Sequence, residues 1–302
     1  DLHKAIRRQL QMCIRDSPYI CSIYFKPHIM KELPENQTLS KQINETLKDR
    51  VITEVFNATK FHKNTFYFGD PLTYSELLIG RRINSSMSFG MYVDIILDKE
   101  TKISFGDGTN LKYGTISNKM PNNYQLLLAL DNNTYLTFTV GMFGVIAAYT
   151  GIYNDIYYKK NLDNLSPLSD DFNEQYFEKL CVGVKPKSSV KVLLATEQRI
   201  PGLGNGVLQD ILFNAKINPK REINSLTDID KSALLQSIKM TLKNMILQGG
   251  RDTEMDIFGN HGNYKTILSK NTLSKPCPQC GNPIIKETSS GGVVYYCPYC
   301  QK

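Results

Sequence analysis

The sequence predicts an α+β fold: an N-terminal β-sandwich with a flanking helix, then a helical domain, then a small β-hairpin carrying four cysteines. Three observations predict it. Residues 51–140 hold short runs rich in β-branched and aromatic residues, separated by turn chemistry. From residue 172 the apolar spacing becomes helical. Two Cys-x-x-Cys pairs then close the chain.

The flanking helix is expected over residues 38–48, where Leu39, Ile43 and Leu47 recur every four positions and Pro34 lies ahead of the interior it would break. Strands are expected at 51–55, 65–68, 91–97, 101–105, 125–130 and 135–140, with Asp131-Asn132-Asn133 as a hairpin turn. Around residues 162–171 the composition shifts to Asn, Asp, Ser and Pro, a linker signature. Helices are expected at 172–181, 190–195, 206–215 and 232–248, with Thr227 and Asp230 spaced as an N-cap. A glycine-rich connection from Gly249 leads to the cysteines.

Length and composition bound the reading. A chain of 302 residues that is 41% hydrophobic can bury one or two cores beside a small module. No run approaches the ~18 apolar residues of a bilayer span, so no membrane role is expected. A net charge of +7 and a pI of 8.9 argue only weakly for an anionic partner. Of seven cysteines, Cys13, Cys21 and Cys181 have no pairing spacing, which fits a reducing, cytoplasmic compartment. Residues 1–29 lack a small-residue cleavage site and a clear apolar core, and Met30 reads as a natural start, so this leader is expected to lie outside the fold.

Cys277-Pro278-Gln279-Cys280 and Cys297-Pro298-Tyr299-Cys300 stand 16 residues apart, at positions 281–296, within the window for tetrathiolate zinc. All four thiolates are needed as ligands, which makes this a closed structural site for one zinc ion rather than a catalytic site with an open position. Paired disulfides or a redox pair are the alternatives, and the reducing compartment disfavours them.

Residues 198–206, Gln-Arg-Ile-Pro-Gly-Leu-Gly-Asn-Gly, fall between two expected helices. Glycines there permit a tight turn whose free amides can grip a phosphate, and Lys191, Arg199, Lys216, Lys220 and Arg221 supply cationic surroundings. A dinucleotide site is excluded because a helix, not a strand, precedes the glycines. A turn serving only the backbone stays open.

Pro201-Gly202-Leu203-Gly204-Asn205, Asp210-Ile211-Leu212-Phe213 and Ile217-Asn218-Pro219 closely resemble the helix-two-turn-helix segment of the formamidopyrimidine-DNA glycosylase and endonuclease VIII family. The four-cysteine hairpin resembles its zinc finger, and Met30 with Glu32-Leu33-Pro34-Glu35 resembles its N-terminal start. The three signals keep the family's order across Met30–Lys302. The resemblance implies a sandwich domain at 30–152, a helix-two-turn-helix domain at 172–250 and a zinc finger at 270–302, with double-stranded damaged DNA in the cleft between them. It also implies base-excision repair. A flipped-out base is removed by an amine that forms a Schiff base at the sugar, and the strand is then cut by elimination. A monomer, cytoplasmic and associated with the nucleoid, is expected.

Carried over by position, Glu32 falls on the family's proton-managing glutamate, Asn205 on the turn residue that holds a DNA phosphate and Lys191 on a lysine of the same region. Cys277, Cys280, Cys297 and Cys300 fall on the metal ligands. Lys31 stands where the nucleophilic proline is expected, and such a bulky residue discourages removal of Met30. Met91 stands for a catalytic lysine, Gly141 and Met142 occupy a loop expected to carry arginine, and Gly291-Gly292 stands for a phosphate-gripping arginine. A lysine amine also forms Schiff bases once burial lowers its pKa, so Lys31 is the candidate nucleophile, and an ordinary solvated charge pair of Lys31 with Glu32 stays open beside it. The alternative is a catalytically impaired damaged-DNA-binding protein of the same fold.

Overall fold

A computed structural model describes residues 31–116, 120–196, 198–290 and 292–302. The expected leader, with Met30, lies outside the described residues.

The chain enters through α1 (Leu33–Thr46), earlier than apolar spacing alone predicts. Pro34 sits in the first turn, where a missing N–H costs nothing, and the Glu35 carboxylate accepts from the Glu32 amide at 3.0 Å. There follow β1 (Ile52–Asn57), β2 (Thr65–Phe68), the short helix α2 (Tyr74–Leu78), β3 (Ile83–Phe89), β4 (Tyr92–Leu97), β5 (Thr101–Thr115), β6 (Leu126–Leu130) and β7 (Thr134–Thr150). They form one seven-stranded sheet in the order β1-β6-β7-β5-β4-β3, with β2 running parallel to β7. The expected sandwich is therefore built from a single continuous sheet.

Two long strands make this possible. The pairing of β5 with β7 slips between Asp107↔Gly144 and Thr109↔Val140, leaving residues 141–143 unpaired. Strand β4 pairs with β5 before the slip, and β6 pairs with β7 on the other side of it. Val93, Ile95, Ile103 and Phe105 from one half share a core with Leu111, Leu126, Leu136 and Phe138 from the other, and Leu39 and Ile43 of α1 close it with Leu47 at the helix end. Phe105 meets Phe138 edge-on at 5.5 Å. Glycines at 106, 108, 141 and 144 hid the full length of both strands, because glycine weakens a strand pattern without ending the strand.

Helix α3 (Ile156–Asp163) packs on the sheet through Tyr158, and the second domain holds α4 (Glu174–Val182), α5 (Val190–Ala195), α6 (Asn205–Asn214) and α7 (Asp228–Leu247). Thr227 and Asp230 form the expected capping box, so α7 starts before residue 232. Leu193, Leu194, Leu208, Leu212, Ile238 and Leu242 centre its core. Beyond Gly249 the chain is not a loose connection. It packs back on the first domain, where Ile257 is buried in the sheet core and accepts from the Tyr113 amide at 2.7 Å. Strands β8 (Ile285–Ser289) and β9 (Gly292–Tyr296) form the terminal hairpin. Among the described residues no helix is long and apolar enough to cross a membrane.

Candidate functional site

The N-terminus of α6 is a ready-made anion site, and the protein fills it itself. Glu32 accepts from the amides of Gly204 at 3.0 Å, Gly206 at 2.8 Å and Val207 at 2.9 Å. This corrects the expectation that these amides grip DNA phosphate: an internal carboxylate already satisfies them at no cost of bringing in a ligand. The glycine spacing has the same cause. A Cβ on Gly206 would lie 1.6 Å from Nη1 of Arg251, which stands 3.6 Å from Glu32.

Around Glu32 lies a buried group of charges on α1 and the segment after α7. Arg251 holds Glu35 through Nη2 at 2.7 Å and Nε at 3.0 Å. Burial would raise Glu35, but the guanidinium keeps it below the usual carboxylate range. Glu32 is raised, because burial outweighs Arg251 and the amides. Lys31 is also buried, and its Nζ donates to Asn110 Oδ1 on β5 at 2.9 Å. Desolvation brings Lys31 down to about 8, against the pull of Glu254, Glu35 and Asp256. Glu32 thus sits at the mouth of the helix-two-turn-helix segment, while the amine of its neighbour Lys31 reaches to β5.

Asn205 is exposed on the first turn of α6 and abuts the zinc hairpin: a Cβ on Gly292 would lie 2.2 Å from its Nδ2. The two features share one face. Lys191, expected at the phosphate, is instead buried, with Nζ donating to the carbonyls of Ser289 and Ser290, the latter at 3.0 Å. It ties the hairpin's turn to α5. Gln209 of α6 adds a reciprocal pair, donating to Val293 O at 3.1 Å and accepting from Tyr295 N at 2.9 Å. Other cations near the turn are also engaged. Lys220 pairs with Glu287 at 2.7 Å and Arg221 with Asp230 at 2.6 Å, while Lys216 is exposed.

Cys277, Cys280, Cys297 and Cys300 bring their Sγ atoms within 4.8 Å of one another. Cys277 and Cys300 stand 3.8 Å apart, and Cys280 and Cys297 3.5 Å. Four sulfurs bound tetrahedrally at ~2.3 Å lie about 3.8 Å apart, and a disulfide needs ~2.05 Å, so the set fits one structural zinc ion.

The departures from the family pattern also find places. Met91 is buried beside Tyr92, and its amide donates to Asn161 Oδ1 at 3.0 Å, so no cation stands there. Met142 is exposed at the unpaired stretch of β7. Gly291 lies outside the described residues.

Family models match two stretches of the chain, the formamidopyrimidine-DNA glycosylase H2TH domain at 164–256 and the zinc finger found in FPG and IleRS at 274–302. The formamidopyrimidine-DNA glycosylase of Wolbachia pipientis is 26% identical over 280 residues, covering 90% of this chain and 100% of the relative. That of Prochlorococcus marinus is 34% identical over 142 residues, covering 45% and 49%. The chain carries the H2TH domain and the zinc finger of the formamidopyrimidine-DNA glycosylases. Its fold is shared with MutM (Fpg) of Thermus thermophilus, with a TM-score of 0.73, 22% identity and 89% and 98% of the two chains covered. Lactococcus lactis Fpg in complex with abasic-site DNA gives 0.76, 22%, 90% and 99%.

Within the family frame, the sequence reading missed Arg251, Glu254 and Asn110. Arg251 follows Gly249-Gly250, which reads as the punctuation of a loop, and nothing local indicates that an arginine there returns to α1. Glu35 belongs to the start motif, and its spacing from Glu32 is that of a capping box.

Proposed function

We propose that the protein is a base-excision-repair DNA glycosylase and AP lyase, acting on damaged bases or abasic sites in double-stranded DNA through a Schiff base on Lys31. The observation that carries this is the buried Lys31 amine, which donates to Asn110 and is drawn down to about 8 by desolvation. At pH 7 about one part in ten of such an amine is neutral and nucleophilic, against less than one in a thousand for an ordinary lysine. Curated relatives matched end to end carry the glycosylase name, which favours an enzyme over a protein that only binds damage.

Asn205 and the backbone of the zinc hairpin supply the phosphate contact on one face, and Lys191 positions that hairpin. The zinc ion, held by the four cysteines, fixes the hairpin's shape and takes no part in the reaction. Glu32 orients the amine-bearing start of α1 by its bonds to α6. The protein works as a monomer, inside the cell, at the nucleoid.

The test is borohydride trapping with the full chain and a duplex carrying an abasic site. A covalent adduct that Lys31→Ala abolishes is the expected result. Binding to abasic and oxidised duplexes with no adduct on either overturns the reading in favour of a damage-binding protein without catalysis.

A further inference from the structure

Resting on that reading, we infer that Glu254 is the acid-base partner of the Lys31 amine, taking its proton before attack and protonating the leaving oxygen afterwards. The segment that carries Glu254 is pinned at both ends. The Arg251 amide donates to Glu35 Oε1 at 3.1 Å, and the Ile257 amide donates to Gln42 Oε1 at 3.2 Å. The Ile257 carbonyl accepts from Tyr113 on β5, three residues beyond the Asn110 that receives Lys31. Glu254 is therefore held between the start of α1 and the part of β5 to which Lys31 reaches.

The other carboxylates facing this space are committed. Glu32 holds three amides of α6, and Glu35 holds Arg251. Asp256 accepts from Gln42 and from the amides of Phe258 and Asn260. Glu254 differs. It is 7% exposed, and among the described residues its Oε2 has no hydrogen-bond partner. A buried carboxylate oxygen left open is costly, and an exchangeable proton removes that cost. Burial also pushes Glu254 up to about 8, level with Lys31, and each group feels the other's charge, so a proton relayed between them through a bridging water changes the energy little.

At an abasic site the neutral amine adds through its lone pair to the sugar aldehyde. The carbinolamine hydroxyl then leaves as water, taking one proton that came from nitrogen and one from protonated Glu254. An iminium ion and the Glu254 carboxylate remain, so atoms and charge balance.

The experiment is single-turnover trapping with the full chain across pH 5–10, together with affinity for a duplex carrying a tetrahydrofuran abasic analogue. Glu254→Gln is expected to slow trapping by about 100-fold or more and to move the midpoint of its pH profile downward, with analogue affinity kept. Glu254→Asp, which keeps the carboxyl one methylene back, is expected to recover part of the rate. Should Glu254→Gln not fold, Glu254→Asp decides alone, with about a tenfold slowing and unchanged affinity. A wild-type rate and midpoint in whichever variant folds overturn the role of Glu254 while the Lys31 chemistry stands. No adduct with the wild type, or an undiminished adduct with Lys31→Ala, overturns both.

Discussion

Glu35 and Arg251 form a buried two-pronged ion pair across 216 residues of sequence, clamping the start of α1 to the segment after α7. Removing one partner leaves the other charged and dry, which costs about 3–5 kcal/mol. Arg251→Met is therefore expected to lower unfolding free energy by that amount, measured by urea denaturation. The double variant Arg251→Met with Glu35→Gln is expected to recover part of the loss, because one stranded charge disappears. A double variant no better than the single one would show that packing, not charge, holds this joint.

Asp210 makes a second joint, accepting from the amides of Ile267 at 2.9 Å and Leu268 at 2.8 Å. Burial outweighs those bonds and raises it to about 6. In the unfolded chain it titrates near ~3.9, so between the two values the folded protein holds a proton that the unfolded chain has released. Stability from this group is expected to fall as pH rises from about 4 to about 6 and to stay level above. Asp210→Asn lacks the titration. The stability difference between wild type and variant, taken from urea midpoints at successive pH values, should thus change across that window. Parallel curves would contradict the assignment.

Zinc removal tests the hairpin separately. The chain end is docked on the helical domain through Asn218 N to Lys302 O at 2.9 Å and Gln301 Nε2 to Ile217 O at 3.0 Å. The core of α5, α6 and α7 contains none of the four cysteines. Chelation or Cys280→Ser is expected to release zinc and weaken binding to duplex DNA while most helical circular dichroism remains. Unchanged DNA affinity after zinc loss would remove the hairpin from the interface.

How much was legible in the sequence follows from the range of each signal. The cysteine spacing, the Thr227 cap and the α5 boundaries are set by neighbours a few residues apart, and the structure agrees at each. Strand β3, with the polar run Asn84-Ser85-Ser86, carries almost no apolar alternation and was missed. In the site, Lys31 and Glu32 were found through a motif, but what their side chains meet was not. Asn110, Gly206 and Arg251 reach them only after the sheet and both domains are assembled. The phosphate reading of the glycine turn failed for the same reason. Free amides at a helix start are visible in sequence, but the carboxylate that fills them, more than 170 residues away, is not.

With the α6 amides occupied, the proposed phosphate contact rests on the exposed Asn205 side chain against Gly292. A neutral amide giving one hydrogen bond to a charged phosphate contributes about 1.5–3 kcal/mol, so Asn205→Ala is expected to weaken duplex binding about 10- to 100-fold. Because no cation is removed, the slope of log affinity against log salt should stay the same. Lys216→Ala, which removes an exposed cation near the turn, should instead reduce that slope if Lys216 reaches the backbone. Gly292→Ala offers a third reading of the same contact, since its new methyl would meet Asn205 at 2.2 Å and push the amide aside without altering charge. It is expected to reproduce the affinity loss of Asn205→Ala with the salt slope intact, and to add nothing when the two changes are combined. Additive losses in the double variant would mean that Gly292 and Asn205 hold different phosphates.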